Sequence, residues 1–163
     1  MTPYLIFAIS LTVAATSYFS ALNLAMVQAS RSGLENELDA RGLLGRGRWL
    51  LDRLGDASHA VALFRTVGRV SLFALILVSF EGFGEAARIT WSGIVATTAI
   101  SVALVWFFTS VLSSAIARHA TYGIIASSLP FIRFTTIIVG PLLAAVGFVD
   151  EVVRRLSGAN LRE

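Results

Sequence analysis

Residues 89–117 read ITWSGIVATTAISVALVWFFTSVLSSAIA, without a single charged side chain, and are bounded by Arg88 and Arg118. At about 1.5 Å of rise per helical residue the stretch reaches roughly 43 Å, whereas a hydrocarbon core needs only about 20 residues. A helix this apolar can also lie at the centre of a large soluble protein. A chain of 163 residues offers too little other material to wrap it. The stretch therefore reads as a membrane span.

Composition agrees. Apolar residues make up 56% of the chain and charged residues 14%, where an ordinary globular chain has about a quarter of its residues charged. The absence of cysteine removes disulfides, thiolate metal sites and cysteine nucleophiles from consideration. All 13 basic residues are arginine, a side chain that snorkels well at a membrane interface. The net charge of +3 is spread over several segments and gives no nucleic-acid footprint.

The first 30 residues also carry no charged side chain. Their apolar part is longer than the roughly 7–15 residues of a signal peptide and lacks the basic residues that precede one, so 3–29 reads as a first span rather than a cleaved leader. Ser10, Thr16, Ser17, Ser20 and Asn23 recur along it. Membrane serines and threonines usually bond to their own helix, but an asparagine is expensive in lipid and seeks a partner on another helix. Asn23 accordingly marks an interior face.

Residues 31–56, RSGLENELDARGLLGRGRWLLDRLGD, change character, with five arginines and five acidic residues interrupted by glycines. Leu50, Leu51 and Leu54 stand at helical spacing among Arg46, Arg48, Trp49 and Arg53, the pattern of a short amphipathic helix within a juxtamembrane region over 34–56 that the glycines break into pieces; the alternative is a polar loop between spans. The arginines place this segment on the cytoplasmic side, and the N-terminus outside.

A second span is expected over 59–80, HAVALFRTVGRVSLFALILVSF, despite Arg65 and Arg69 on one helical face. A guanidinium near the bilayer centre costs about 2.5–3.5 kcal/mol unless it is paired, hydrated or snorkelling. Either the two reach back to lipid phosphate or to Asp52 and Asp56, or they sit inside the bundle as fixed positive charge. In the outer connection, Glu81 and Glu85 are solvated carboxylates or a loose divalent-ion pair. The third span, 89–117, ends in Thr109, Ser110, Ser113 and Ser114. These line a polar cavity or, with Ser110 and Ser114 as a small-xxx-small pair, serve close packing. Residues 120–157 hold Pro130, Arg133, Gly140 and Pro141, and read as juxtamembrane helices in the inner interface or as a fourth, kinked span. The basic tail belongs to the cytoplasm. The fold class is thus an all-α integral membrane protein with three transmembrane helices and amphipathic juxtamembrane helices. An enzyme is not supported: His59 and His119 are the only histidines and no G-x-S-x-G occurs.

The first span and its exit, YFSALNLAMVQASRSGLENEL, resemble the F-S-x-S-E-T-A-L-x-x-x-S-R-x-R-L-E-x-L signature of the CorC/CNNM magnesium transporters, with Phe19, Ser20, Ala25, Ser30, Arg31, Leu34 and Glu35 in place. Phe108, Ala117 and Arg118 similarly match F-G-E-x-x-P-K-x-x-A-R in the third span. The resemblance covers 1–163 as a cyclin M-type transmembrane domain. It implies three spans with a belt of juxtamembrane helices, a homodimer or a heterodimer with a related membrane chain, residence in the cell's inner (plasma) membrane, and magnesium export exchanged for sodium. Paired CBS domains that sense nucleotide usually follow in the family; these 163 residues leave no room for them, so nucleotide gating within this chain is not expected.

The departures bear on chemistry. The motif's Ser-Glu is Leu22 and Asn23, its N-T-L-V-N aligns with 65–69 so that Arg65 and Arg69 replace both asparagines, and its Gly-Glu is Thr109 and Ser110. The family positions that would meet a metal are then Ser20, Asn23, Thr66 and Ser110. Such neutral oxygens suit sodium or a hydrated ion better than bare magnesium, which is held most readily beside a carboxylate. Arg65 beside them adds repulsion of roughly 4 kcal/mol per unit charge at 4 Å and an effective dielectric of 20, and is expected to stand in for the bound cation. The expectation is a degenerate cation site, altered by Arg65 and Arg69, in a regulatory or heterodimeric subunit. The alternative is an active transporter, with magnesium or sodium as the candidate ion. No tightly held cofactor is expected.

Overall fold

The computed structural model describes the backbone of residues 3–81 and 90–156, all of whose elements are helical. In chain order they are α1 (Pro3–Gln28), α2 (Arg31–Ala40), α3 (Leu44–Asp52), α4 (Leu54–Glu81), α5 (Trp91–Leu104), a π-helical segment (Val105–Leu112), α6 (Ser113–Ser127) and α7 (Leu129–Leu156). Three stretches are long and apolar enough to cross a membrane: α1, residues Leu54–Ser79 of α4, and the continuous run Trp91–Ser127. The side chains of Glu81 and Glu85, and residues 157–163, lie outside the described part.

Several boundaries differ from the sequence expectation, each for a local reason. The second long helix starts at Leu54 rather than at 59. The Arg53 N–H closes α3 on the carbonyls of Trp49 and Leu50, both at 3.2 Å, and Asp56 then sits in the first turn of α4, where a carboxylate complements the helix N-terminus. The third helix begins on a Thr90 cap that accepts the Gly93 N–H at 3.2 Å and continues to Ser127 rather than stopping at 117. Charged Arg118 and His119 are no obstacle to helix geometry; the chain only bends, at Ala120 (φ −135°, ψ 27°).

The segment 34–56 is broken into α2 and α3 at Gly42, one of the glycines that interrupt it. Gly42, at φ +65°, takes the left-handed conformation that favours glycine at a helix end. The N–H groups of Gly42 and Leu43 then close on Asp39 and Leu38 at 2.9 and 2.8 Å. Past Ser128, α7 runs as a single helix through Pro141. Its buried side is Leu129, Ile132, Thr135 and Val139, packed along α4, while Phe134, Ile137 and Ile138 face outward.

The core lies where α1 meets α4 and α6. Leu22 and Ala25 of α1, Val61 of α4, Ile125 of α6 and Ile132 of α7 form one cluster with Leu34, Leu38 and Leu50 of the juxtamembrane helices. Those leucines are the apolar side of α2 and α3, so the amphipathic pair closes the arginine-rich end of the bundle. Phe19 stacks on Phe64 and tilts against Phe131, each at 5.3 Å. The Tyr18 hydroxyl bonds to Ser128 Oγ at 2.5 Å. Outside, Phe7 is 70% and Trp106 63% exposed, apolar surface that a bilayer covers.

One close approach sets the spacing of the spans. A Cβ at Gly68 would collide with the side chain of Thr16. The bare glycine lets α1 and α4 come together at that level, as small residues do between membrane helices.

Candidate cation site

Inside the bundle, α1 presents Thr16, Ser17, Ser20 and Asn23, all buried. Two of these spend their hydroxyl protons on their own helix: Thr16 donates to Thr12 O and Ser17 to Val13 O, both at 2.7 Å. Asn23 crosses to α4, its Nδ2 donating to Ser58 O at 3.0 Å and approaching Ser58 Oγ at 3.3 Å. The Ser20 hydroxyl is buried with no hydrogen-bond partner among the described residues.

From α4, Arg69 reaches across to the third span. Its Nη2 donates to Thr109 Oγ1 at 2.8 Å, and Thr109 in turn donates to Val105 O at 2.7 Å. The Thr109 hydroxyl is therefore occupied both as acceptor and as donor. Arg65 lies one turn away on the same face, half-buried, and the Nε atoms of both arginines are buried without partners. Neither reaches back to the acidic residues considered from sequence: Asp52 is paired with Arg31 at 2.8 Å. Ser113 of α6 completes the level, its hydroxyl within 3.0 Å of Ser17 O and 3.1 Å of Phe108 O.

Of the positions singled out by sequence, Ser20 and Asn23 are buried and Arg69 half-buried, but at different levels: Asn23 is bonded at Ser58, eleven residues before Arg69 on α4 and about 16 Å from it along the helix. Thr66 and Ser110 are both exposed, and the Thr66 hydroxyl is turned back to Ala62 O at 3.0 Å. The third-span groups that face inward are Thr109 and Ser113, with Thr97, Ser101 and Ala117 buried on the same side. The small residues at the helix contact are thus Thr109, Ser113 and Ala117, in place of the expected Ser110 and Ser114.

The spacing of that stripe has a geometric cause. A four-residue step overshoots one α-helical turn by about 40°, so residues four apart drift around an ordinary helix. The π-helical segment, with its wider i→i+5 turn, covers less than a full turn in the same step and brings the stripe back. The four-residue spacing was the available signal in the sequence, and an α-helical frame hides it.

Chemically, the site is a set of neutral oxygens and a guanidinium. Among the described residues no three acidic or imidazole side chains come together. Among the described residues the arrangement offers no carboxylate to offset the loss of a magnesium ion's water, and it holds a guanidinium against Thr109 Oγ1.

The Asn23 bridge gives a direct test of the packing. Asn23→Ala is expected to lower stability by about 1 kcal/mol, the usual size of an interhelical polar contact in a membrane, measured by denaturant unfolding in mixed micelles. An unchanged midpoint would mean that the amide contributes nothing between α1 and α4.

Residues 6–163 match the family of the cyclin M transmembrane N-terminal domain. No curated protein matches the chain. With nearly the whole length covered, and with three membrane-length helices among the described residues, the first two joined through α2 and α3, the chain belongs to the CNNM family of cyclin M transmembrane domains.

Proposed function

We propose that this chain is a CNNM-type subunit whose cation site is filled by its own side chain, Arg69, and that it works as a regulatory partner in a homodimer or in a heterodimer with a related membrane chain. The observation that carries this reading is the 2.8 Å bond from Arg69 Nη2 to Thr109 Oγ1. It sets a permanent cation against one of the third-span oxygens that face the interior. The sequence had favoured Arg65 for this part; the contact to the third span favours Arg69, with Arg65 adding charge one turn away. In this reading the arginine-rich helices α2 and α3 lie on the cytoplasmic side of the plasma membrane and the N-terminus lies outside, the orientation that the concentration of arginine in 31–56 supports.

A second reading, transport of sodium or a hydrated ion through the remaining oxygens, is favoured by one observation: the buried, unpartnered Ser20 hydroxyl, a group that normally has a partner. Calorimetric titration of the purified chain with magnesium, alongside sodium and magnesium flux into proteoliposomes, separates the two. The first expects neither micromolar magnesium binding nor flux above empty vesicles. Flux that disappears in Ser20→Ala selects the second.

A further inference from the structure

At the arginine-rich end of the bundle a groove of about 1130 Å³ opens between α3 and α7. Three arginines from three parts of the chain converge on it: Arg46 of α3, Arg53 at the junction of α3 and α4, and Arg133 of α7. All three are exposed, and none is in an ion pair among the described residues. By contrast, Arg31 and Arg41 at the same end are tied to Asp52 and Glu37 at 2.8 and 2.7 Å. Asp52 borders the groove as well, but its carboxylate is already engaged by Arg31. Like charges gathered around a cavity repel one another, so this cluster is matched to an anion.

The rest of the lining says which kind. Half-buried Trp49, with Leu129 and exposed Ile137, gives the groove an apolar wall. Tryptophan and arginine together are the side chains of a membrane interface. Arg53 immediately precedes the span that starts at Leu54, so the charges stand at headgroup level. Ile137, one turn beyond Arg133, continues the groove as greasy surface. We infer that this groove binds an anionic phospholipid, the phosphodiester held by Arg46, Arg53 and Arg133 and an acyl chain lying on Leu129 and Ile137. A free phosphate has no use for the apolar wall, and a zwitterionic headgroup leaves the positive charge uncompensated. This assignment does not depend on whether the cation site is closed.

The test uses the full chain in a neutral detergent, titrated with phosphatidylglycerol, phosphatidylcholine or inorganic phosphate, and read by native mass spectrometry and by the shift in thermal unfolding. Phosphatidylglycerol is expected to bind more tightly than phosphatidylcholine. Its affinity should fall about fivefold for each of Arg46→Gln, Arg53→Gln and Arg133→Gln, the loss expected for one arginine near an anionic surface. Arg48→Gln, on the same helix but outside the groove, should leave binding unchanged. All these arginines are exposed, so the lipid-free variants should unfold like the parent chain, and a lowered lipid-free midpoint assigns the cluster to folding and overturns the proposal. Equal binding of the two lipids overturns it, as does a triple variant that binds like the parent. Inorganic phosphate stabilising as much as phosphatidylglycerol makes the ligand a free anion. Cross-linking of Gly45→Cys chains to one another at the same rate with and without phosphatidylglycerol makes the groove a contact between copies. Either outcome removes the lipid.

Discussion

If Arg69 fills the cation site as proposed, Arg69→Asn is expected to raise the apparent affinity for magnesium by about a thousandfold or more. The estimate follows from charge alone: repulsion of about 4 kcal/mol per unit charge at 4 Å and an effective dielectric of 20 corresponds to roughly three decades in affinity, and a dication feels it twice over. The geometry makes Arg69 the residue to change. Its Nη2 occupies Thr109 Oγ1 at 2.8 Å, and asparagine would free that lone pair while bringing an amide oxygen of its own. Arg65→Asn alone should gain less, since the only polar contact from this pair to the third span, among the described residues, is made by Arg69. The double variant should gain most. Calorimetry on the three purified proteins decides the matter: an Arg69→Asn chain that titrates like its parent removes the guanidinium from the explanation of the site.

Gly68→Val is expected to be the most damaging single change in the packed interior, at about 3 kcal/mol or more. Overfilling a tight contact generally costs about 1–3 kcal/mol, and here the first added carbon already meets the Thr16 side chain. Thr16 has little freedom to turn aside, because it is buried and its hydroxyl is bonded to Thr12 O at 2.7 Å. The α1–α4 contact would open instead, carrying Ser20 and Asn23 away from α4. A compensating pair isolates the cause. If steric crowding is responsible, Gly68→Ala should be destabilising alone and largely rescued by Thr16→Ala. Thermal unfolding in micelles measures both; since helix propensity alone favours alanine over glycine, equal losses in Gly68→Ala with and without Thr16→Ala would remove the Thr16 side chain as the cause.

What the sequence disclosed and what it hid divide along physical lines. Span existence depends on length and on the absence of charge, both visible in 3–29 and 89–117; of the leucines 50, 51 and 54 set at helical spacing, the first two are buried in the core cluster and the third packs against it. Asn23 was legible because an amide in lipid needs a partner. The direction of a side chain inside a helix that is polar on more than one side is a different matter. Ser110 was chosen because it stands where the family has glutamate, yet its neighbour Thr109 points inward, and neighbours on a helix face well apart. The destination of Arg69 was equally hidden: a guanidinium on a long stem can reach back to headgroups or sideways to another helix, and only the position of α5 and the π segment against α4 selects between them. Helix ends were displaced for the same reason. Caps at Arg53 and Thr90 and the turn at Gly42 are settled by backbone contacts that hydropathy does not report.

The wide coil at Val105–Leu112 has a bearing on how the third span moves. Thr97 and Ser101 on one side of it and Thr109 and Ser113 on the other share a single meridian only because the local pitch is relaxed. Tightening that coil to ordinary α geometry would swivel one half of the rod against the other, swinging Thr109 off the Arg69 guanidinium while Thr97 and Ser101 stay seated on α4. The span thus carries its own swivel joint, at the level where Arg69 of α4 reaches across to it.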